Sequence, residues 1–180
     1  MYVFSTDNPF AFLMDILTHL LVLLFMLRLL FQLARVDIRN PISQTVLKLS
    51  DPPLRPLRRI IPAFGRLDTA SAVVLLLTQI LGLFLIAAIN GAALNPLSLI
   101  PLSLLLLAQA LLQLYFVTLL AEALLSWLNP NPYSPAMDIL RSLNAPLLNP
   151  VRKRLPATGG IDFSIMIVMI AILFLMRIVG

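Results

Sequence analysis

The sequence predicts an all-α membrane protein of four transmembrane helices. They form two span–amphipathic segment–span repeats, inserted in parallel and related by pseudo-two-fold symmetry. Three observations carry this. Of the 180 residues, 60% are hydrophobic and only 12% are charged, where a soluble domain is nearer half apolar and a quarter charged. Eleven of the thirteen Lys and Arg residues fall in two connections between apolar runs. Residues 41–68 recur without a gap as residues 135–162, at an offset of 94. A chain this small has too little interior to hide so much apolar surface from water, which excludes an ordinary soluble enzyme and a disordered tail. With no cysteine, disulfides, thiolate catalysis and cysteine-bound metal are excluded too.

The chain, residues 1–180, reads as one membrane domain, with repeat one at about 9–90 and repeat two at about 97–179. A spanning helix needs about 20 mostly apolar residues. Phe10–Ala34, Thr69–Ile89 and Pro101–Leu128 meet that length, and Phe163–Val179 is at its short limit. The third run has length to spare for tilt, a kink near Pro101 or a start outside the hydrocarbon. The first run is read as a span and not a signal peptide, since Met1–Asn8 carries no Lys or Arg and no small-residue cleavage site follows. Asn8-Pro9 and Asn95-Pro96 place a capping side chain before a first-turn proline. Asp68 and Asp162 stand just before the second and fourth spans, where a carboxylate meets free N–H groups and the positive end of the helix dipole.

The two basic connections, Arg35–Asp68 and Asn129–Asp162, lie on the same side of a four-span chain, and the loop between the repeats, Asn90–Ile100, is uncharged. The positive-inside rule puts the basic side in the cytoplasm and both termini outside. Identities at the 94-residue offset include Pro62/Pro156, Gly65/Gly159 and Asp68/Asp162. Two spans per repeat give both repeats the same orientation. The offset also maps Asp15 to Gln109, His19 to Gln113 and Arg28 to Glu122.

Each connection is expected to contain a short amphipathic helix opening at Asn40-Pro41 or Ser134-Pro135. Ile42, Val46 and Leu49 would form one apolar face and Ala136, Leu140 and Leu143 the other. Pro52-Pro53 and Pro146 are expected to stop these helices. Beyond them lie Arg55, Arg58, Arg59 and, in the second copy, Arg152, Lys153, Arg154. A basic cluster beside apolar residues suits the headgroup layer, with each cation gaining about 1 kcal/mol from anionic lipid. Gly65 and Gly159 allow a sharp turn into the next span, and Pro62 and Pro156 stiffen the approach.

The runs from Asp51 to Asp68 and from Pro146 to Ser164, in both halves and with Asn40-Pro41, resemble the signature of the YggT/YlmG family of small integral membrane proteins. The family pattern closes on Gly-Gly-hydrophobic-Asp; the first copy departs from it with Gly65-Arg66. The resemblance implies a bacterial inner or plastid membrane. It also implies a link to osmotic-stress tolerance, to cell division or nucleoid distribution, and in plastids to cytochrome maturation.

Arg28 is the leading functional candidate, because a charge inside a span is costly. It would pair with Glu122 across the pseudo-two-fold axis, or else both side chains snorkel to the cytoplasmic surface. Asp15 and His19, four residues apart on one face, form either a proton- or cation-binding pair or a local helix contact, with the local contact preferred. Gln109 and Gln113 suit helix–helix hydrogen bonds. The basic clusters suit anionic lipids or protein partners, Asp68 and Asp162 suit helix caps, and no recognition module for nucleic acid accompanies the basic face. No nucleophile–base pair, metal cluster or phosphate loop points to an enzyme or a cofactor. Two functions follow: a structural or assembly protein presenting a basic platform to lipids and to membrane or cytoplasmic proteins, or a cation channel or transporter subunit in osmotic adaptation, which would need a homo-oligomer.

Overall fold

The structure, a computed structural model, describes residues 8–59, 68–92, 95–128, 134–154 and 162–180. Pro62, Gly65, Pro156 and Gly159 lie outside the described residues. Six helices follow in order: α1 (Pro9–Leu33), α2 (Pro41–Arg58), α3 (Thr69–Ile89), α4 (Pro96–Leu128), α5 (Pro135–Arg152) and α6 (Phe163–Val179). Among the described residues there is no strand.

The expected caps form. Asn8 and Asn40 each accept the backbone N–H two residues on, at 3.0 Å. Asn95 does the same for Leu97 at 3.1 Å, so α4 starts at Pro96 and not at Pro101. Pro101 is absorbed within the helix, near its start. At the other end of α1, Arg35 takes a left-handed φ of 54°. The Val36 N–H then reaches back to the Phe31 carbonyl at 2.9 Å, closing the helix in the manner usually served by glycine.

Helices α1, α3 and α4 are long and apolar enough to cross a membrane. The 17 residues of α6 reach only about 25 Å at 1.5 Å per residue. Helix α3 packs on α1, α6 packs on α4, and α3 meets α4 between them. The short helices pack inward: α2 on α1 and α3, α5 on α4 and α6, and α2 on α5. One core joins Val22, Phe25 and Met26 of α1 to Leu54 of α2 and Val74 and Leu75 of α3. A second joins Leu119, Leu148, Val168 and Ile172. Leu54 and Leu148, 94 residues apart, are both fully buried.

Two expectations about the short helices are corrected. Neither stops at its prolines: α2 runs through Pro52, Pro53 and Pro56, and α5 through Pro146 and Pro150. These prolines all lie on exposed positions, so the carbonyls that lose an N–H partner face solvent or headgroups, where water can serve them. The buried stripe of α2 is Ser43, Ser50 and Leu54, while Ile42 and Leu49 point outward. In α5, Leu143 of the expected face is buried, joined by Met137, Asn144 and Leu148.

The α1–α3 crossing is a close approach that requires a small residue. A Cβ on Gly82 would lie 2.2 Å from Thr18 Cγ2 and 2.8 Å from Thr18 Cβ. Thr18 cannot swing away freely, since its hydroxyl donates to the Met14 carbonyl at 2.7 Å. Gly82→Ala is therefore expected to force the helices apart and cost about 1–3 kcal/mol, the usual range for overpacking. Thermal unfolding in detergent checks this. Thr18→Ala should recover part of the loss in the double variant, and an unchanged midpoint in Gly82→Ala would contradict the close crossing.

Candidate functional site

The polar residues of greatest consequence collect where each short helix meets its spans. Carrying Arg28 into the bundle is expensive unless its donors are met. Arg28 is only 4% exposed, and α2 meets it with three acceptors. They are the Leu47 carbonyl at 3.0 Å, Ser50 Oγ at 2.6 Å and Asp51 Oδ1 at 2.7 Å. Ser50 passes its own proton to the Val46 carbonyl at 2.6 Å. Asp51 also lies 3.7 Å from Arg55 and 3.9 Å from Arg58. Arg58, at the end of α2, donates to Asp68, the cap of α3. One chain of charges thus ties α1 to α2 and α2 to α3.

The second half builds its junction at corresponding places with different chemistry. Glu122, also 4% exposed, accepts from Asn144 Nδ2 at 2.7 Å. Thr118 donates to Asn144 Oδ1 at 2.8 Å. Arg152 lies 3.6 Å from Glu122 and binds Asp162 through Nε at 2.8 Å and a terminal nitrogen at 2.5 Å. Arg28 and Glu122 therefore do not pair with each other, and neither snorkels. Each faces the short helix of its own half, because the face of α1 that carries Arg28 packs on α2 and that of α4 which carries Glu122 packs on α5.

Asp68 and Asp162 are caps with a second task. Asp68 accepts from the Ser71 amide at 3.4 Å and the Ser71 hydroxyl at 2.7 Å, besides Arg58. Asp162 accepts from the Ser164 amide at 3.0 Å, besides Arg152. Burial pushes both carboxyls up, but the hydrogen bonds and positive charge of Arg58 and Arg152, with Ser71 and Ser164, outweigh it. Both are held below the usual carboxylate range.

The six candidate cations divide accordingly. Arg58 and Arg152 are engaged in the junctions. Arg55 is 77% exposed beside Asp51. Arg59, Lys153 and Arg154 are exposed at the helix ends. Asp15 and His19 make the local contact, at 3.3 Å between Asp15 Oδ1 and His19 Nδ1. Gln109 joins helices, donating to the Val179 carbonyl at 2.9 Å, and Gln113 is exposed.

A cavity of about 640 Å³ opens beside the first junction. Arg28, Ser43, Asp51, Arg58 and Asp68 form its polar part, and Phe31, Ile38 and Leu47 its apolar part. Two cations and two carboxylates cancel there, so the cavity suits a neutral or zwitterionic group better than a free anion. The buried Ser43 hydroxyl has no hydrogen-bond partner among the described residues.

Sequence reasoning missed Ser50, Asp51, Thr118 and Asn144. The repeat offset could have found two of them, since it sets Ser50 against Asn144, and Asp51 is an acid inside a basic connection.

The geometry makes the Arg28–Asp51 pair asymmetric. Asp51→Ala leaves a buried guanidinium without its carboxylate and is expected to cost about 2 kcal/mol after allowing for the partial exposure of Asp51. Arg28→Met leaves Ser50 bonded to its own helix and should cost less. Adding Arg28→Met to Asp51→Ala should recover about 1 kcal/mol. Thermal unfolding of the two single variants and the double variant in detergent checks this, and additive losses would contradict the pairing.

The sequence as a whole is similar to one family. The CCB3/YggT family model matches residues 8–89 and again residues 101–180. The protein YggT of Escherichia coli K12 is 39% identical over 163 residues, covering 91% of this chain and 85% of its own. A Vibrio alginolyticus protein named for the proC 3′ region is 36% identical over 170 residues, covering 93% and 91%. Neither name states an activity. No solved structure matches. Across nearly its whole length, then, the chain belongs to the CCB3/YggT family.

Proposed function

We propose that the chain is a non-enzymatic structural or assembly protein of the bacterial inner membrane. It crosses the membrane four times and holds two basic helices rigidly at the cytoplasmic surface. The observation that carries this reading is the pair of buried junctions. Each fastens a short helix to two spans, through Arg28–Asp51 and Arg58–Asp68 in one half and Glu122–Asn144 and Arg152–Asp162 in the other. Helices fastened this way present Arg59, Lys153 and Arg154 outward, with no ion-pair partner among the described residues, toward lipid phosphates or acidic protein surfaces.

Several observations support the finer points. The end of α6 is bonded to Gln109, well along α4 from the basic side, as a fourth span requires. The family model matches twice, once per half, in keeping with two tandem repeats. The basic connections favour a cytoplasmic location, with both termini outside. The link to osmotic-stress tolerance and division-related processes suits a protein acting through envelope contacts.

A cation channel or transporter fits less well. The buried charges Arg28 and Glu122 are each spent on the short helix of their own half, and Asp15 and His19 on a local contact, which suits fastening better than conduction. Crosslinking in native membranes followed by mass spectrometry separates the two readings. A reproducible heterologous partner crosslinked through α2 or α5 is expected, with no ion flux from the purified protein in liposomes. Self-crosslinks alone, together with cation flux, would overturn the proposal.

A further inference from the structure

The first junction leaves one buried polar group unmet. Ser43 is only 1% exposed, yet its hydroxyl has no hydrogen-bond partner among the described residues. A hydroxyl buried without a partner is destabilising, and such a group calls for an occupant that meets it. Ser43 lines the cavity of about 640 Å³ beside the junction, a volume within the roughly 300–1,000 Å³ of ligand sites. The second half does not repeat this arrangement. At the 94-residue offset Met137 stands in the place of Ser43 and Ala145 in that of Asp51, and Met137 is buried. The unmet hydroxyl and the second carboxylate therefore occur together in the first half alone.

The lining selects the chemistry of the occupant. Its charges cancel, two arginines against two aspartates, which favours a ligand of no net charge. Arg58 gives one terminal nitrogen to Asp68, and its side chain stays 44% exposed, so the rest of its guanidinium fork is open to phosphate oxygens. Asp51 gives Oδ1 to Arg28. Its Oδ2 lies 3.7 Å from the exposed Arg55, beyond hydrogen-bond distance, and is open to a donor. Phosphate and ammonium in one molecule match this pair. Phe31 is the one aromatic residue among the described lining, short of the cage that holds a quaternary ammonium, whereas a carboxylate suits the N–H donors of a primary ammonium. Ser43 and Asp51 stand two turns apart on α2, about 12 Å at 1.5 Å per residue. A phosphate and an ammonium joined by two carbons do not cover that length, and an ester carbonyl beyond the phosphate reaches the Ser43 hydroxyl. Phe31, Ile38 and Leu47 give the cavity an apolar wall. It opens where α1 ends and α3 begins, at the level of the basic connection.

We propose that this cavity binds a phosphate joined to a primary ammonium, presented as the headgroup of a zwitterionic phospholipid. The phosphate lies on the free edge of Arg58, the ammonium on Asp51, and the Ser43 hydroxyl donates to an ester carbonyl of the same lipid. One lipid is held per chain, since the second half has neither the hydroxyl nor the second carboxylate at the corresponding positions. The site rests on the placement of α2 at the membrane surface, and not on which side that surface faces.

Native mass spectrometry of the full chain in detergent tests this, with phosphatidylethanolamine, phosphatidylcholine and phosphatidylglycerol of the same acyl chains. One phosphatidylethanolamine per chain is expected, retained about tenfold better than the other two, in line with the strength of charge-assisted bonds. Ser43→Ala should lower its retention about fivefold, the size of one hydrogen bond. The same variant should leave the lipid-free thermal midpoint unchanged or raised, since it removes an unmet hydroxyl. Ser43→Met, which places the residue of the second half in the first, should fill the cavity and abolish retention. Equal retention of the three lipids, or undiminished retention by Ser43→Ala, would overturn the proposal and leave a cavity that holds water only. Soluble glycerophosphoethanolamine, which lacks the esters, should fail to displace the lipid at equal concentration; displacement would keep the zwitterion site and overturn its lipid source. The chain has no cysteine and Ile38 is 69% exposed, so Ile38→Cys labelled in membranes with an impermeant maleimide tests the surface placement separately. No labelling from either side would overturn that placement and the proposal with it. Labelling without selective retention would overturn the lipid site alone.

Discussion

The structure depends on one electrostatic requirement: a charge taken into the bundle must find its partners there. Arg28 enters the first half almost fully buried, and the groups able to meet it are on α2. That requirement fixes the rotation of α2, because Ser50 and Asp51 must face α1 together. The rotation in turn buries Leu54 in the core, turns Pro52, Pro53 and Pro56 outward and brings Arg58 to the cap of α3. A helix with three internal prolines would be a poor helix in isolation. Here tertiary bonds on one face hold it while the damaged carbonyls stay on the wet face.

The second half meets the same requirement with the sign reversed. Glu122 occupies the place of Arg28, and the neutral Asn144, not a charge, bonds to it. Arg152 supplies the nearby positive charge. What the halves keep in common is the layout: a charged side chain about four-fifths of the way along the first long helix, a polar residue on the short helix, and an arginine reaching the aspartate that caps the next helix. Different residues in one layout explain why the short helices can differ in charge yet sit in equivalent positions.

Much of this was legible in the sequence because the signals were local or periodic. Apolar runs, Asn-Pro and Asp caps and the 94-residue offset needed no three-dimensional knowledge, and Asp15 beside His19 followed from helical spacing. The junction partners were not legible, because they depend on which face of α2 turns inward. Ile42, Val46 and Leu49 looked like that face on hydrophobicity alone; Val46 does pack against the core, but Ile42 and Leu49 point outward and Ser43, Ser50 and Leu54 are the buried residues. The buried Arg28 must be met by acceptors, so the inward face of α2 is chosen by hydrogen bonding as well as by oiliness. The same choice made Pro52-Pro53 look like a stop. The Arg28–Glu122 pairing failed for a related reason: the offset gives equivalent positions, and equivalent positions face equivalent neighbours before they face each other.

The central claim is that the buried junctions hold α2 and α5 as fixed parts of the fold. Hydrogen exchange of the intact protein in lipid nanodiscs tests it most directly. The amides of Val46–Asp51 in α2 and Leu143–Ala145 in α5 are predicted to exchange as slowly as the inner turns of α1 and α3 beside them. Exchange of those amides at the rate of a free surface-bound peptide, with α1 and α3 still protected, would contradict the account.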